Sequence, residues 1–186
     1  MIEIWRRAML AAGAALLTLP AGAAPPEQDV FGFRLTAIEG GPLDLTQFRG
    51  RPMLVVNTAS FCGFTPQYAG LQRLHDRLSQ RGLVVLGVPS NDFQQESADP
   101  TRIKAFCETS FGVEFPMAMP APVRGPRAAP LFAWLAAHGG GPPRWNFHKY
   151  LVARNGRRVQ GFATPVEPDA PVLLRAIEAA LASPAA

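Results

Sequence analysis

The chain has 186 residues, 18 basic and 14 acidic, for a formal charge of +4, and 48% of it is hydrophobic. That length suits one domain with a full hydrophobic core, and the even spread of apolar segments gives no sign of a second. No block of five or six like charges and no basic stripe occurs, which argues against nucleic acid as a partner.

At the N-terminus, Arg6 and Arg7 precede an apolar run from Ala8 to Leu19, followed by Ala21, Gly22 and Ala23. The run falls short of the roughly 20 residues a membrane-spanning helix needs, and the small-x-small triplet supplies a cleavage site near Ala23 or Ala24. Residues 1–23 therefore read as a signal peptide and 24–30 as a flexible leader, with residues 31–186 as the folded domain. The expected location is exported, periplasmic or extracellular, with no stable membrane insertion after cleavage. An uncleaved anchor is the alternative, and the paired arginines leave the export route open. Export would put Cys62 and Cys107, the chain's two cysteines, where a disulfide persists, either structural or catalytic.

Phe31, Phe33 and Leu35 alternate with smaller or polar residues, as do Leu43 and Leu45 beyond the break at Glu39 to Pro42, which predicts an opening β-hairpin. Met53 to Val56 is a continuous apolar run, the pattern of a strand covered on both faces. From Pro66, Tyr68, Leu71, Leu74 and Leu78 recur at helical spacing as far as Gly82. Leu83 to Val88 is a second buried run, so the two strands and the helix predict a parallel strand–helix–strand unit. Asp99 and Pro100 read as a helix start, with Ile103, Phe106, Cys107 and Ser110 on one face. Phe111 to Arg127 reads as loop with a short edge strand near Pro116 to Met119. Pro130 to His138 reads as a helix with Leu131, Trp134 and Leu135 inward. Asn155-Gly156 predicts a turn between strands containing Leu151 and Val159. A last helix begins at Asp169 and Pro171, with Val172, Leu173, Ala176, Ile177, Ala180 and Leu181 on its buried face. That order is the order of an α/β thioredoxin-like fold, a central mixed sheet flanked by helices behind an N-terminal hairpin.

Within this plan Cys62 stands where the first buried strand gives way to a helix. A thiol there faces free backbone N–H groups and the positive end of the helix dipole, both of which favour thiolate and hence a reactive sulfur. A small buried hydrophobe is the alternative reading of the position taken alone. His75, His138 and His148 stand at none of the spacings that metal sites use with cysteine, so neither a metal nor a cofactor is expected.

LVVNTAS from Leu54, followed after Phe61 by CGFTPQY from Cys62, GLVVLGVPSNDF from Gly82, and WNF from Trp145 occur in that order. On these motifs the chain resembles the glutathione peroxidase family, in its non-selenium form with two working cysteines, over almost all of Phe31 to Leu181. The resemblance implies that Cys62 attacks a peroxide O–O bond and that Gln95, Trp145 and Asn146 surround its sulfur as neutral hydrogen-bond donors. It implies that Cys107 resolves the resulting sulfenic acid as a disulfide, which a thioredoxin-like protein or glutathione then reduces. It further implies a monomer, because Gly139 to Pro143 is only a short turn where tetrameric members carry an extra segment. Two departures stand out. The loop from Asp92 to Glu96 lacks a glycine pair common in relatives, leaving Gln94 as a competitor to Gln95, and Phe61 occupies a position where many relatives have lysine. A thiol–disulfide oxidoreductase on the same fold would normally need CxxC, but Thr65 stands at the second place; a non-catalytic peroxide sensor is the reading from another class.

Overall fold

The computed structural model describes residues 28–184. Its elements are β1 (Arg34–Thr36), β2 (Pro42–Asp44), β3 (Met53–Thr58), α1 (Gln67–Leu78), β4 (Val84–Pro89), α2 (Pro100–Phe111), α3 (Pro130–His138), β5 (Lys149–Val152), β6 (Val159–Phe162) and α4 (Pro171–Ala182). Single 3-10 turns precede β1 and follow β2. β1 and β2 form a separate antiparallel hairpin, while the central sheet has the order β4-β3-β5-β6.

β3 and β4 are buried at every position and pair in parallel from Met53 opposite Val84 to Thr58 opposite Pro89. Their unbroken apolar runs follow from cover on both faces, and each fully buried Val or Leu there contributes roughly 1.5–3 kcal/mol. The alternation within the runs divides two cores. Leu54, Val56 and Val85 face Leu71, Leu74, Ile103, Cys107, Leu173 and Ile177, which come from α1, α2 and α4. Met53, Val55, Val84 and Leu86 face Leu43, Leu131, Phe132 and Leu135, contributed by the hairpin and α3.

The sheet's pairing positions the site. β3 runs parallel to β4 and antiparallel to β5, so the C-terminal ends of β3 and β4 and the N-terminal end of β5 meet at one edge of the sheet. The loops carrying Cys62, Gln95 and Trp145 with Asn146 all leave from that edge.

Several local expectations need correction. The leader does not extend to residue 30: Val30 is fully buried and donates its N–H to the Gly156 carbonyl, and the Gln28 carbonyl accepts from the Trp134 indole. The expected signal peptide, residues 1–23, and residues 24–27 lie outside the described residues. The hairpin strands are shorter than the alternation suggests, because the Asp29 and Asp44 side chains accept backbone N–H bonds that wind the flanking residues into 3-10 turns. Ser110 and Val172 are exposed rather than inward. Asp169 does not cap α4, which starts after Ala170 with no side-chain cap. Asp99 does cap α2, accepting from Thr101 and Arg102 N–H. Between β5 and β6 only Gly156 adopts positive φ, while the Asn155 side chain accepts from the N–H groups of Arg157 and Arg158. The edge strand near Met117 reduces to two bridges, Ala37 with Ala118 and Gly87 with Met117.

Candidate active site

Cys62 lies in the turn between β3 and α1, with Gly63 to Pro66 separating it from the first residue of the helix. The turn is held by side-chain chemistry. The Thr65 hydroxyl accepts the Cys62 N–H at 3.0 Å and donates to the Ala59 carbonyl at 3.0 Å, while the Thr65 N–H returns to the Cys62 carbonyl. The expected backbone donor to sulfur is present as Phe64 N–H, 3.4 Å from Sγ. It comes from the turn and not from the first turn of α1. Cys62 is only 7% exposed, whereas its neighbour Phe61 is 68% exposed. The position where relatives often carry a cation thus presents an aromatic ring at the mouth of the site.

The loop after β4 places the two glutamines differently. Asn91 organises it: its carbonyl accepts from Gln94 N–H and its side-chain oxygen from Glu96 N–H. Gln94 is thereby forced to φ 58° and lies exposed. Gln95 turns inward, where its Oε1 accepts from Asn146 Nδ2 at 2.9 Å and its carbonyl accepts Phe61 N–H at 3.0 Å. The second of these bonds stitches the Gln95 loop to the residue preceding Cys62.

Trp145 and Asn146 immediately precede β5. Trp145 is 40% exposed and packs its ring 5.2 Å from that of Phe93, which the Arg124 guanidinium covers at 4.4 Å. Asn146 is fully buried. Their backbone is fixed by residues that the spacing of motifs did not single out. Asn57 Nδ2 donates to the Trp145 carbonyl at 3.1 Å, the Thr164 hydroxyl to the Asn146 carbonyl at 2.7 Å, and Lys149 Nζ to the Phe147 carbonyl at 2.7 Å. Phe147 takes φ 61° and donates its N–H to the Asn57 carbonyl at 2.6 Å, a left-handed conformation that costs a side-chain-bearing residue about 1–3 kcal/mol. A legible signal existed for Asn57 and Lys149, since each is a polar residue inside an otherwise apolar strand. Thr164 carried none.

Cys107 sits on the inner face of α2, fully buried, and both cysteines are free thiols. Burial pushes the Cys107 thiol up to about 11; the adjacent Tyr68 hydroxyl acts in the opposite direction, and the Glu96 and Glu108 carboxylates add to the rise. Glu96 is itself mostly buried, and loss of hydration raises its pKa, opposed by the nearby Ser60 and by the bond from the Ser97 N–H. The structure therefore joins Gln95 to Asn146 directly, sets Trp145 beside them, ties Cys62 to them through the Phe61 backbone, and keeps Cys107 in the core beneath. A recessed thiol on the same end of the sheet as two amides and an indole is an arrangement suited to receiving an electrophilic oxygen near donors that do not titrate.

Residues 30–136 match the family model for glutathione peroxidase. The chain belongs to the glutathione peroxidase family. It is 45% identical over 151 residues to a hydroperoxy fatty acid reductase of the cyanobacterium Synechocystis sp., covering 75% of this chain and 89% of the relative. To a glutathione peroxidase-like peroxiredoxin of Chlamydomonas reinhardtii it is 39% identical over 145 residues, covering 75% and 90%. The crystal structure of Trgpx in its apo form superposes with a TM-score of 0.70 at 31% identity, covering 86% of this chain and all of the other. The thioredoxin-like fold of this chain and its activity as a thiol peroxidase follow from that membership.

Proposed function

We propose that this peroxidase works through two cysteines. The Cys62 thiolate attacks the distal oxygen of a hydroperoxide; the S–O bond forms as the O–O bond breaks, and the departing alkoxide takes a proton to leave as alcohol, or as water from hydrogen peroxide. Gln95, Asn146 and Trp145 donate to the oxygen that gains charge. The observation that carries this reading is the Asn146 to Gln95 bond, because it brings residues from two separate loops to the same sheet edge as Cys62.

The Cys62 sulfenic acid is then attacked by the Cys107 sulfur, forming the S–S bond and releasing the hydroxyl as water. Cys107 is fully buried on α2 next to its last turn, which Gly112 closes with bonds to the Cys107 and Glu108 carbonyls. Local opening of that turn precedes resolution. An external dithiol protein of the thioredoxin type restores both thiols by disulfide exchange, with glutathione as the alternative reductant. Exposed Phe61 and Trp145 at the mouth suit organic hydroperoxides with apolar tails, the class named for the Synechocystis relative. The leader sequence supports export, and the mature enzyme acts as a monomer.

Steady-state peroxide consumption by the mature protein, with thioredoxin and with glutathione in parallel, tests the scheme. Sustained turnover with thioredoxin is expected. Consumption of a single equivalent that stops despite either reductant would instead make the protein a sensor.

A further inference from the structure

We propose that Lys149 is a positioning residue for the peroxide-cleaving step, holding the Trp145 and Asn146 donors in place through its bond to the Phe147 carbonyl. The inference rests on the catalytic reading above and adds a residue that the reading does not use.

Three consecutive carbonyls, those of Trp145, Asn146 and Phe147, each accept a hydrogen bond from a different buried side chain: Asn57, Thr164 and Lys149. All three donors are 6% exposed or less, with Asn57 and Lys149 fully buried. Ordinary β-strand entry needs no such arrangement, since ladder bonds satisfy strand carbonyls. What does need it is the left-handed residue Phe147, which turns the chain sharply between Asn146 and β5. The backbone there relaxes unless the surroundings over-determine it. Lys149 Nζ reaches back two residues to the carbonyl of that strained unit at 2.7 Å.

The choice of lysine is costly. Its strand neighbours are Val56 on β3 and Phe162 on β6, neither titratable. Loss of hydration pulls its pKa down to about 8, opposed by the Glu167 carboxylate, which the Gln67 amide holds at 3.2 Å. The adjacent His148 imidazole is pulled down to about 4, chiefly by burial and also by Lys149, so it adds no charge at neutral pH. A buried cation bonded to one carbonyl, with no carboxylate at ion-pair distance among the described residues, bears the desolvation cost of a charge with no close counter-charge to offset it. Stability therefore does not explain it. Fixing the carbonyl with a charge-assisted bond, stronger than any neutral donor supplies, does.

Lys149→Met tests this in single-turnover stopped flow with hydrogen peroxide and pre-reduced enzyme, a measurement independent of the reductant. The expected result is a peroxide rate constant at least tenfold below wild type at pH 7 in a variant that remains folded. The ratio between the two enzymes should narrow above pH 9, where the wild-type amine is neutral and a weaker donor. Lys149→Gln, which keeps a neutral donor, should fall between them and should not share the pH dependence. A Lys149→Met rate within twofold of wild type overturns the proposal, as does a ratio that stays constant from pH 7 to pH 10. If Lys149→Met does not fold, Lys149→Gln decides by the same two criteria. Wild-type enzyme that leaves peroxide untouched overturns the catalytic reading as well, so the two failures are distinguishable.

Discussion

Asn146 Nδ2 donates to Gln95 Oε1 at 2.9 Å, across 51 residues of chain. The bond fixes both amides and leaves Gln95 Nε2 with no acceptor among the described residues. Replacing either Asn146 or Gln95 with alanine should slow the peroxide step at least tenfold, on the scale of losing one donor to a developing charge. Trp145→Ala should do the same. Stopped-flow peroxide kinetics on folded variants check each, and an unchanged rate removes that residue from the site.

Cys62→Ser should abolish peroxide reduction, because a serine hydroxyl is not ionised near neutral pH. Residual turnover near the wild-type rate would assign the chemistry elsewhere.

Cys107→Ser should still consume one equivalent of peroxide rapidly and then fail to turn over with thioredoxin. Mass spectrometry should find sulfenic acid on Cys62, advancing with excess peroxide to sulfinic and sulfonic acid. In the wild type a Cys62–Cys107 disulfide should appear only after peroxide. A bridge already present in fully reduced, active enzyme would make it structural.

The two thiols should also separate by alkylation. Burial disfavours the Cys107 thiolate, and its pKa stands near 11 against an ordinary 9.0, so at pH 8 the folded protein should label at Cys62 while Cys107 stays protonated and shielded. The sign of the linkage follows: the native state keeps this proton where the unfolded chain releases it, so the Cys107 contribution to stability is intact below pH 9 and is lost as pH rises toward 11. Rapid labelling of Cys107 at pH 8 in native enzyme would show that α2 opens far more readily than its burial implies.

The mature protein should scatter light as a monomer at micromolar concentration, because the segment between α3 and β5 is the short stretch around Gly139 to Pro143. A stable tetramer would mean that association uses some other surface.

The apolar pattern was sufficient for α1, β3 and β4, whose buried residues are fixed by the faces they turn to the cores, whereas in α3 it missed the buried Phe132 and placed the half-buried Trp134 fully inward. Val172 and Ser110 escaped it because the ends of α4 and α2 extend past the sheet they cover. The hairpin's length escaped it too: Asp29 and Asp44 redirect backbone bonds locally, a preference that alternation does not register. At the site, the cysteines and the Trp145-Asn146 pair were legible through the motifs. Setting Gln95 apart from Gln94 needed the Asn91 bonds, and the carbonyl donor Thr164 needed the folded register, because nothing local links residue 164 to residue 146.

The convergence of β3, β4 and β5 at one sheet edge has a bearing on how activity is acquired. A chain ending before β5 contains the sulfur and the donors but lacks the antiparallel β3–β5 pairing that brings them together, and that pairing closes a long loop. Catalytic competence is thus a property of the completed sheet and cannot reside in a partly formed βαβ unit. In a refolding experiment, peroxide reactivity should return in step with the last β-pairing to form, and in urea it should vanish with global unfolding, so the enzyme carries its own reporter of native topology.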